Sequence, residues 1–504
     1  MALMLAVVAI ATGLRLVTLD SSFYGDEFFI RHLALLPTPE ALAAAVNDTH
    51  PPLYPMLVHA WASVRWDEAG LRIPSVIAGI ALVPVVYLLG RRLLDAQVGM
   101  AAAALSASSP FLIAHSQEAR SYSLLALLGT LSLYFFAGLV SNPGKRLEWV
   151  GYVVFTILGI YTHYYALLLP AAEGVYLVLC SLRRWPNPGW RRWLLSQLWL
   201  ALAMLPYAAI ILQRVSGLRA GSYGQHFVFD RLAAIPEVFV AYTLGYSGVD
   251  LQTSTLARSV SVSDLLANLP VLMLGGLTFG VLTLSGVSAL RTSARQVAFM
   301  LCCILVPIAF AFAFGLSSQY GAFRAKFLIA SSPILYLLMA LGWVRLVSSR
   351  WKILLGVSVA VLVGYCLYRY YYDQDTVGRR TDERGLADFV RAHAVDGDLL
   401  LAYRLRNGQA LNFYDPGPIP QSAVLRDGEP PFANVALVGP RMDDIVGNSR
   451  RVWLVSEEIS QLMDDPNATV QGWLDQNYLP RQTWHFGKRL TLRLYERPPE
   501  KSRG

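Results

Sequence analysis

The chain has 504 residues, 55% hydrophobic and only 15% charged, where an ordinary soluble domain carries roughly 25% charged residues. Those figures exclude disordered, collagen-like and disulfide-framework classes, and they exclude water solubility along the whole length. The formal net charge of +8 is unevenly spread: residues 1–372 hold 25 Lys+Arg and 15 Asp+Glu, residues 373–504 hold 17 and 19. A charge-poor body before a charge-rich tail reads as a membrane domain, 1–372, followed by a soluble domain, 373–504. The basic excess belongs to the membrane part, so nucleic acid is not the implied partner. Cys180, Cys302, Cys303 and Cys366 fall in apolar stretches, which argues for neither a disulfide nor a zinc cluster.

Apolar runs of roughly 17–25 residues can cross a bilayer. Such runs place about eleven spans, near 2–19, 71–90, 97–114, 122–140, 149–161, 164–182, 193–213, 266–289, 296–316, 326–345 and 352–371. The first lacks a basic start and a small-residue exit, so it reads as a retained span rather than a cleaved signal peptide. Arg91/Arg92, Lys145/Arg146, the Arg183–Arg192 group, Arg291/Arg295 and Arg345/Arg350/Lys352 fall in every second connection. That alternation predicts a cytoplasmic N-terminus and, with an odd number of spans, an extracytoplasmic tail. Two long outer segments interrupt the pattern, 20–70 and 214–265. In the first, Thr38-Pro39-Glu40 opens a surface helix. The second mixes Tyr223, His226, Phe227, Phe229, Tyr242 and Tyr246 with few charges, as an interfacial loop or a substrate lid does. In the tail, 381–393 reads as a helix and 398–403, 452–456 and 490–496 as strands, which makes a small α/β domain.

Acids, imidazoles and cations recur at the outer ends of the spans. Asp26-Glu27 follows the first span, and an acid pair near a membrane is costly unless solvated or partnered. Asp48-Thr-His50-Pro51-Pro52-Leu53-Tyr54 comes next, its double proline stiffening the chain. Ser116-Gln-Glu118-Ala-Arg120-Ser-Tyr122, Tyr161-Thr-His163-Tyr164-Tyr165 and Gln319-Tyr320-Gly-Ala-Phe-Arg324-Ala-Lys326 follow. Each has an ordinary reading as a solvated cap, an interfacial hydrogen bonder or a headgroup anchor. Five motifs in four outer connections are more specific than any one. Glu173 is the one acid at membrane depth, there either for function or to pair with a neighbouring helix.

The order of these motifs resembles the membrane glycosyltransferases of the GT-C class, nearest the branch of protein O-mannosyltransferases and lipid A aminoarabinose transferases. The resemblance covers the chain to about residue 180 and thins to topology afterwards. It implies a polytopic α-helical membrane protein of a bacterial inner membrane, with a small extracytoplasmic α/β domain. It also implies transfer of a sugar, with inversion, from a polyprenyl-phosphate donor to a hydroxyl on a glycan, lipid or protein. Asp26 matches the family's catalytic acid position, and a hydroxyl nucleophile needs such a base. Glu27, Asp48, His50, His163 and Tyr164 are then candidates for holding acceptor or sugar. Arg120, Arg324 and Lys326 are candidates for the donor phosphate, whose developing charge needs cations. The cofactor stays open: Glu27, Asp48 and His50 are the candidates for a divalent ion, without compact ligand spacing. Two other classes compete. A glycan flippase or transporter calls for ionisable groups near mid-membrane and repeated halves, and an O-antigen-type polymerase leaves the Asp26-Glu27 pair without a motive.

Overall fold

Helices make up most of the described residues before Asp373. The computed structural model describes the chain except residues 24, 49, 143, 186–188, 220–233, 248–261, 291–292, 318–322, 374–380, 405–412, 427–428, 430–431, 433, 458–460, 462–463, 488–489 and 499–504, and except the side chains of 209, 211–219, 262–265, 317 and 404. Thr49, Tyr223, His226, Phe227, Phe229, Gln319 and Tyr320 therefore lie outside the described residues. The chain divides into two compact units, Met1–Leu19 with Phe29–Tyr372, and Asp20–Phe28 with Asp373–Gly504. The short stretch Asp20–Phe28, expected at the head of the first outer segment, thus belongs with the tail.

The helices run α1 Ala2–Leu16, α2 Glu27–Leu35, α3 Thr38–Asn47, α4 Leu53–Ala62, α5 Glu68–Leu93, α6 Ala96–Ser108, α7 Pro110–Ser116, α8 Tyr122–Ser141, α9 Arg146–Thr162 and α10 Leu168–Leu182. They continue as α11 Trp190–Arg219, α12 Ala234–Leu244, α13 Val262–Ala289, α14 Ala294–Ser317, α15 Ser332–Arg345 and α16 Ser349–Tyr372. Short 3₁₀ turns, Tyr164–Leu167 and Ala325–Ser331, lead into α10 and α15. Among the described residues seven helices are long and apolar enough to cross a membrane, eight if α6 and α7, bent by 57°, form one broken span. The expected eleven runs all fall on helices, but 2–19, 149–161 and 193–213 do not meet that measure. Helix α1, at 15 residues, is only about 22 Å long.

Prolines decide where the helices break and what mends them. Pro74 in α5 has no N–H for the Gly70 carbonyl, and the Trp61 indole N–H takes its place at 2.9 Å. Pro110 likewise leaves the Ser106 carbonyl without its helical donor. Arg15 of α1, fully buried, fills the gap: Nη2 donates to Ser106 O at 3.2 Å and Nη1 to Ala107 O at 2.9 Å. Its Nε donates to Ser116 Oγ at 3.1 Å, at the end of α7. Helices α13 and α15 cross at Gly286 and Gly342, where a Cβ on either would meet the other's backbone. Glu173 is buried on α10 and accepts from Tyr152 Oη and from Trp193 Nε1, so it pairs with neighbouring helices. Tyr242, expected in an interfacial loop or lid, is instead 1% exposed on α12. It donates to Leu328 O and lies 3.1 Å from Ser331 Oγ; its ring packs on Phe111 at 5.1 Å.

The second unit is a five-stranded sheet of β1 Asp398–Arg404, β2 Gln421–Leu425, β3 Arg451–Glu457, β4 Leu479–His485 and β5 Leu490–Glu496, in the order β2-β1-β3-β5-β4. Strand β1 pairs in parallel with β2 and β3, while β5 runs antiparallel to β3 and β4. Alternate side chains face opposite sides. Leu400, Trp453 and Val455 pack with Leu386 and Val390 of α17 Glu383–His393, while Leu399, Leu401, Val452 and Leu454 pack with helices α18 Val435–Val446 and α19 Thr469–Asn477. The stretch Asp20–Phe28 is stitched to this unit: Phe23 N donates to Tyr414 Oη at 2.8 Å, its ring lies 5.6 Å from Phe413, and Ser22 Oγ donates to Asp382 Oδ1 at 3.1 Å.

Candidate functional site

In the first unit the motifs converge on Tyr122. Pro51-Pro52 ends the extended stretch before α4 and holds Asp48 and His50 just ahead of it. The Asp48 carboxylate accepts from the His50 backbone N–H at 3.2 Å and lies 3.4 Å from its Nδ1. Arginine only donates, so the 3.5 Å contact of Arg120 Nη2 with His50 Nε2 puts the imidazole proton on Nδ1, toward Asp48.

Arg120 is fixed through its backbone. Its carbonyl accepts from Ser75 Oγ of α5 at 2.9 Å, and Ser75 bonds Tyr54 Oη of α4 at 2.7 Å. The guanidinium is 7% exposed and lies 6.0 Å from the centre of the buried Tyr122 ring. Lys326 Nζ approaches the same ring at 4.9 Å and the Phe327 ring at 5.8 Å. Both cations thus border one aromatic ring. Lys326 has no carboxylate within ion-pair distance among the described residues.

His163 ends α9, 4% exposed. Its Nδ1 accepts from Tyr165 N–H at 3.2 Å and caps the turn Tyr164–Leu167. The neutral ring therefore carries its proton on Nε2, a buried donor with no hydrogen-bond partner among the described residues. The ring lies 5.3 Å from His50, 6.0 Å from Tyr122 and 5.2 Å from Phe327. Burial holds its pKa well below the usual imidazole range, with the Arg120 and Lys326 cations adding to the effect. Here a neutral donor sits among cations.

The other candidates are placed as follows. Arg324 caps the turn Ala325–Ser331 with its carbonyl accepting from Phe327 N–H at 3.0 Å. The Tyr164 ring faces Tyr207 at 6.4 Å. Asp26 and Glu27 belong to the second unit: Asp26 is exposed in a turn entered by Gly25 at φ +48°, and Glu27, 3% exposed, opens α2. No three His, Cys, Asp or Glu side chains converge as a metal site among the described residues. One pair escaped the sequence reading. His115 Nδ1 lies 3.0 Å from Glu118 Oε2, beside Tyr122 at 5.1 Å between rings; an acid three residues beyond an imidazole, just past the end of α7, was its signal.

A family model for dolichyl-phosphate-mannose-protein mannosyltransferases matches residues 49–188, the stretch holding His50, Arg120, Tyr122 and His163. No curated protein matches the chain in sequence. In fold, the chain is similar to ArnT from Cupriavidus metallidurans in the apo state, with 15% identity, a TM-score of 0.58, and coverage of 98% of this chain and 97% of that one. The same protein bound to undecaprenyl phosphate gives 15%, 0.56, 97% and 97%. The oligosaccharyltransferase AglB from Archaeoglobus fulgidus, in complex with an inhibitory peptide and a dolichol-phosphate, gives 11%, 0.55, 99% and 74%. At such identities the likeness is one of fold, and it bears out the membrane architecture and the resemblance read from the motif order.

Proposed function

We propose that the chain is a membrane glycosyltransferase that moves a sugar from a polyprenyl-phosphate donor to an acceptor hydroxyl, with inversion, on the extracytoplasmic side. The observation that carries the reading is the pair Arg120 and Lys326 on the buried Tyr122 ring beside a neutral His163. Two cations beside one ring suit the phosphate of a lipid donor. Family-model similarity and the ligands of the solved relatives, undecaprenyl phosphate and dolichol-phosphate, point the same way.

In this reading Arg120 and Lys326, with Arg324 from the same outer stretch, stabilise the charge that develops on the departing phosphate. His163 Nε2–H and Tyr164 meet sugar hydroxyls, and His50, oriented by Asp48, holds Arg120. Asp26 takes the proton of the acceptor hydroxyl as it attacks the anomeric carbon, and Glu27 braces that turn. The C–O bond to the lipid phosphate breaks, the bond to the acceptor oxygen forms, and the proton stays on Asp26. Arginine placement supports a cytoplasmic N-terminus and an extracytoplasmic tail, and the family resemblance supports a bacterial inner membrane.

The test separates donor binding from chemistry. Asp26→Asn lowers transfer by about 10²-fold while undecaprenyl phosphate binds as in the wild type. Lys326→Ala and Arg120→Ala each weaken that binding by about tenfold or more, the loss expected for one charged hydrogen bond. Near-normal transfer by Asp26→Asn removes it as the base, and unchanged lipid binding in both cation variants removes the proposed phosphate site.

A further inference from the structure

We infer that the first unit holds a second anion site, for the phosphate of an acidic membrane phospholipid, at the end of the bundle remote from Tyr122. Helix α8 leads from Tyr122 to Ser141, about 28 Å at 1.5 Å per residue. That is close to the hydrocarbon thickness of a bilayer. At this far end a cavity of about 290 Å³ opens between α5, α8, α10 and α14, lined among others by Arg92, Ser141, Ser293, Arg295, Phe136 and Phe299.

Its charge is not balanced. Arg92 Cζ lies over the Tyr134 ring at 3.6 Å, and its two terminal nitrogens donate to Glu148 at 2.8 and 2.9 Å, so this pair is neutral. Arg295 donates from Nε to Tyr176 Oη at 2.9 Å and has no carboxylate within ion-pair distance among the described residues. The remaining nitrogens of a guanidinium form a fork that matches a phosphate. Arg295 also sits in the first turn of the 24-residue α14, where the helix dipole favours an anion.

The other wall is apolar. Phe136 and Phe299 stack at 5.9 Å, and Met300 and Val140 continue the surface. A cationic corner beside an apolar wall suits an amphiphile, and basic pockets between spans take acidic lipid headgroups. Free phosphate would satisfy the cation but leave the apolar wall open.

The test uses the purified full chain in nanodiscs of phosphatidylcholine, alone or with about one part in ten phosphatidylglycerol, and native mass spectrometry of retained lipid. The wild type retains phosphatidylglycerol in preference to phosphatidylcholine, Arg295→Gln loses the preference by about tenfold, and Arg295→Lys keeps most of it. Undecaprenyl phosphate binding is unchanged in both variants, which separates this site from the one proposed for the donor. Equal retention of the two lipids by the wild type, or undiminished preference in Arg295→Gln, overturns the inference. Stabilisation by inorganic phosphate alone, equal to that by phosphatidylglycerol and lost in Arg295→Gln, overturns the lipid assignment.

Discussion

Replacing Arg15 by methionine tests whether one buried cation holds the break between α6 and α7. The guanidinium donates to the Ser106 and Ala107 carbonyls and to Ser116 Oγ. Methionine fills much of the volume and supplies no donor. Each buried carbonyl left unsatisfied costs about 1–3 kcal/mol, so the two together cost about 2–6 kcal/mol. Against this stands the expense of placing an arginine in the bilayer, about 2.5–3.5 kcal/mol on the insertion scale. That relief applies to insertion from water, whereas unfolding by SDS begins and ends in an apolar medium. The net loss in SDS titration of the purified protein therefore stays on the destabilising side, with Arg15→Lys intermediate because an ammonium still donates. Pro110→Ala gives residue 110 an N–H to offer Ser106 O, so the Arg15→Met penalty shrinks in that background. A loss under about 1 kcal/mol, or strict additivity of the two changes, refutes the mending role.

Phe23→Ala removes the ring that joins Asp20–Phe28 to Phe413, at about 3–5 kcal/mol for a buried phenylalanine; proteolysis within that stretch rises and transfer falls, while undecaprenyl phosphate binding holds. His163 has a folded pKa below its unfolded value, so the unfolded chain binds the proton first and stability falls as pH drops below about 6.5. His163→Gln flattens that slope in melting curves between pH 5 and 7.5. Burial pushes the Glu383 carboxyl up to about 8, with Glu457 and Asp382 adding to it. Its contribution is therefore full below about 4.5 and is lost as pH rises to 8; Glu383→Gln melts with the wild type at pH 4.5 and above it at pH 8.5.

Much of the site was readable because its chemistry is carried by short motifs. His50, Arg120 and His163 stand out as polar residues beside apolar runs, and the fold brings them around Tyr122. The centre itself was hidden: a tyrosine at the start of a span looks like an interface anchor, and its cation contacts join residues 122 and 326. Arg15 was equally silent, since one arginine near the end of an apolar run reads as a snorkelling side chain. Its partners are carbonyls, which no sequence pattern marks. The tail strands with apolar alternation, 398–403, 452–456 and 490–496, were legible. Strand β2 is five residues long behind Pro418 and Pro420, and β4 is an exposed edge with Pro480, so neither alternates. That Asp20–Phe28 packs with residues near 382 and 413 is a contact across some 360 to 390 positions, beyond any local signal.

The division of charge follows from what each partner must do. A phosphate-binding cation has to be free of carboxylates, because an ion pair already satisfied offers little to a ligand. A general base has the opposite need, since an adjacent arginine or lysine lowers a carboxylate's pKa by 1–3 units and weakens it as a proton acceptor. One cluster cannot serve both needs. In the first unit the acid of the His50 motif, Asp48, is turned onto His50, and Arg120 and Lys326 border one aromatic ring. The Asp26-Glu27 pair comes on another stretch, held by the tail through Phe23 and Ser22, with Asp26 exposed and Glu27 buried. The tail thus holds the stretch that carries the proposed base.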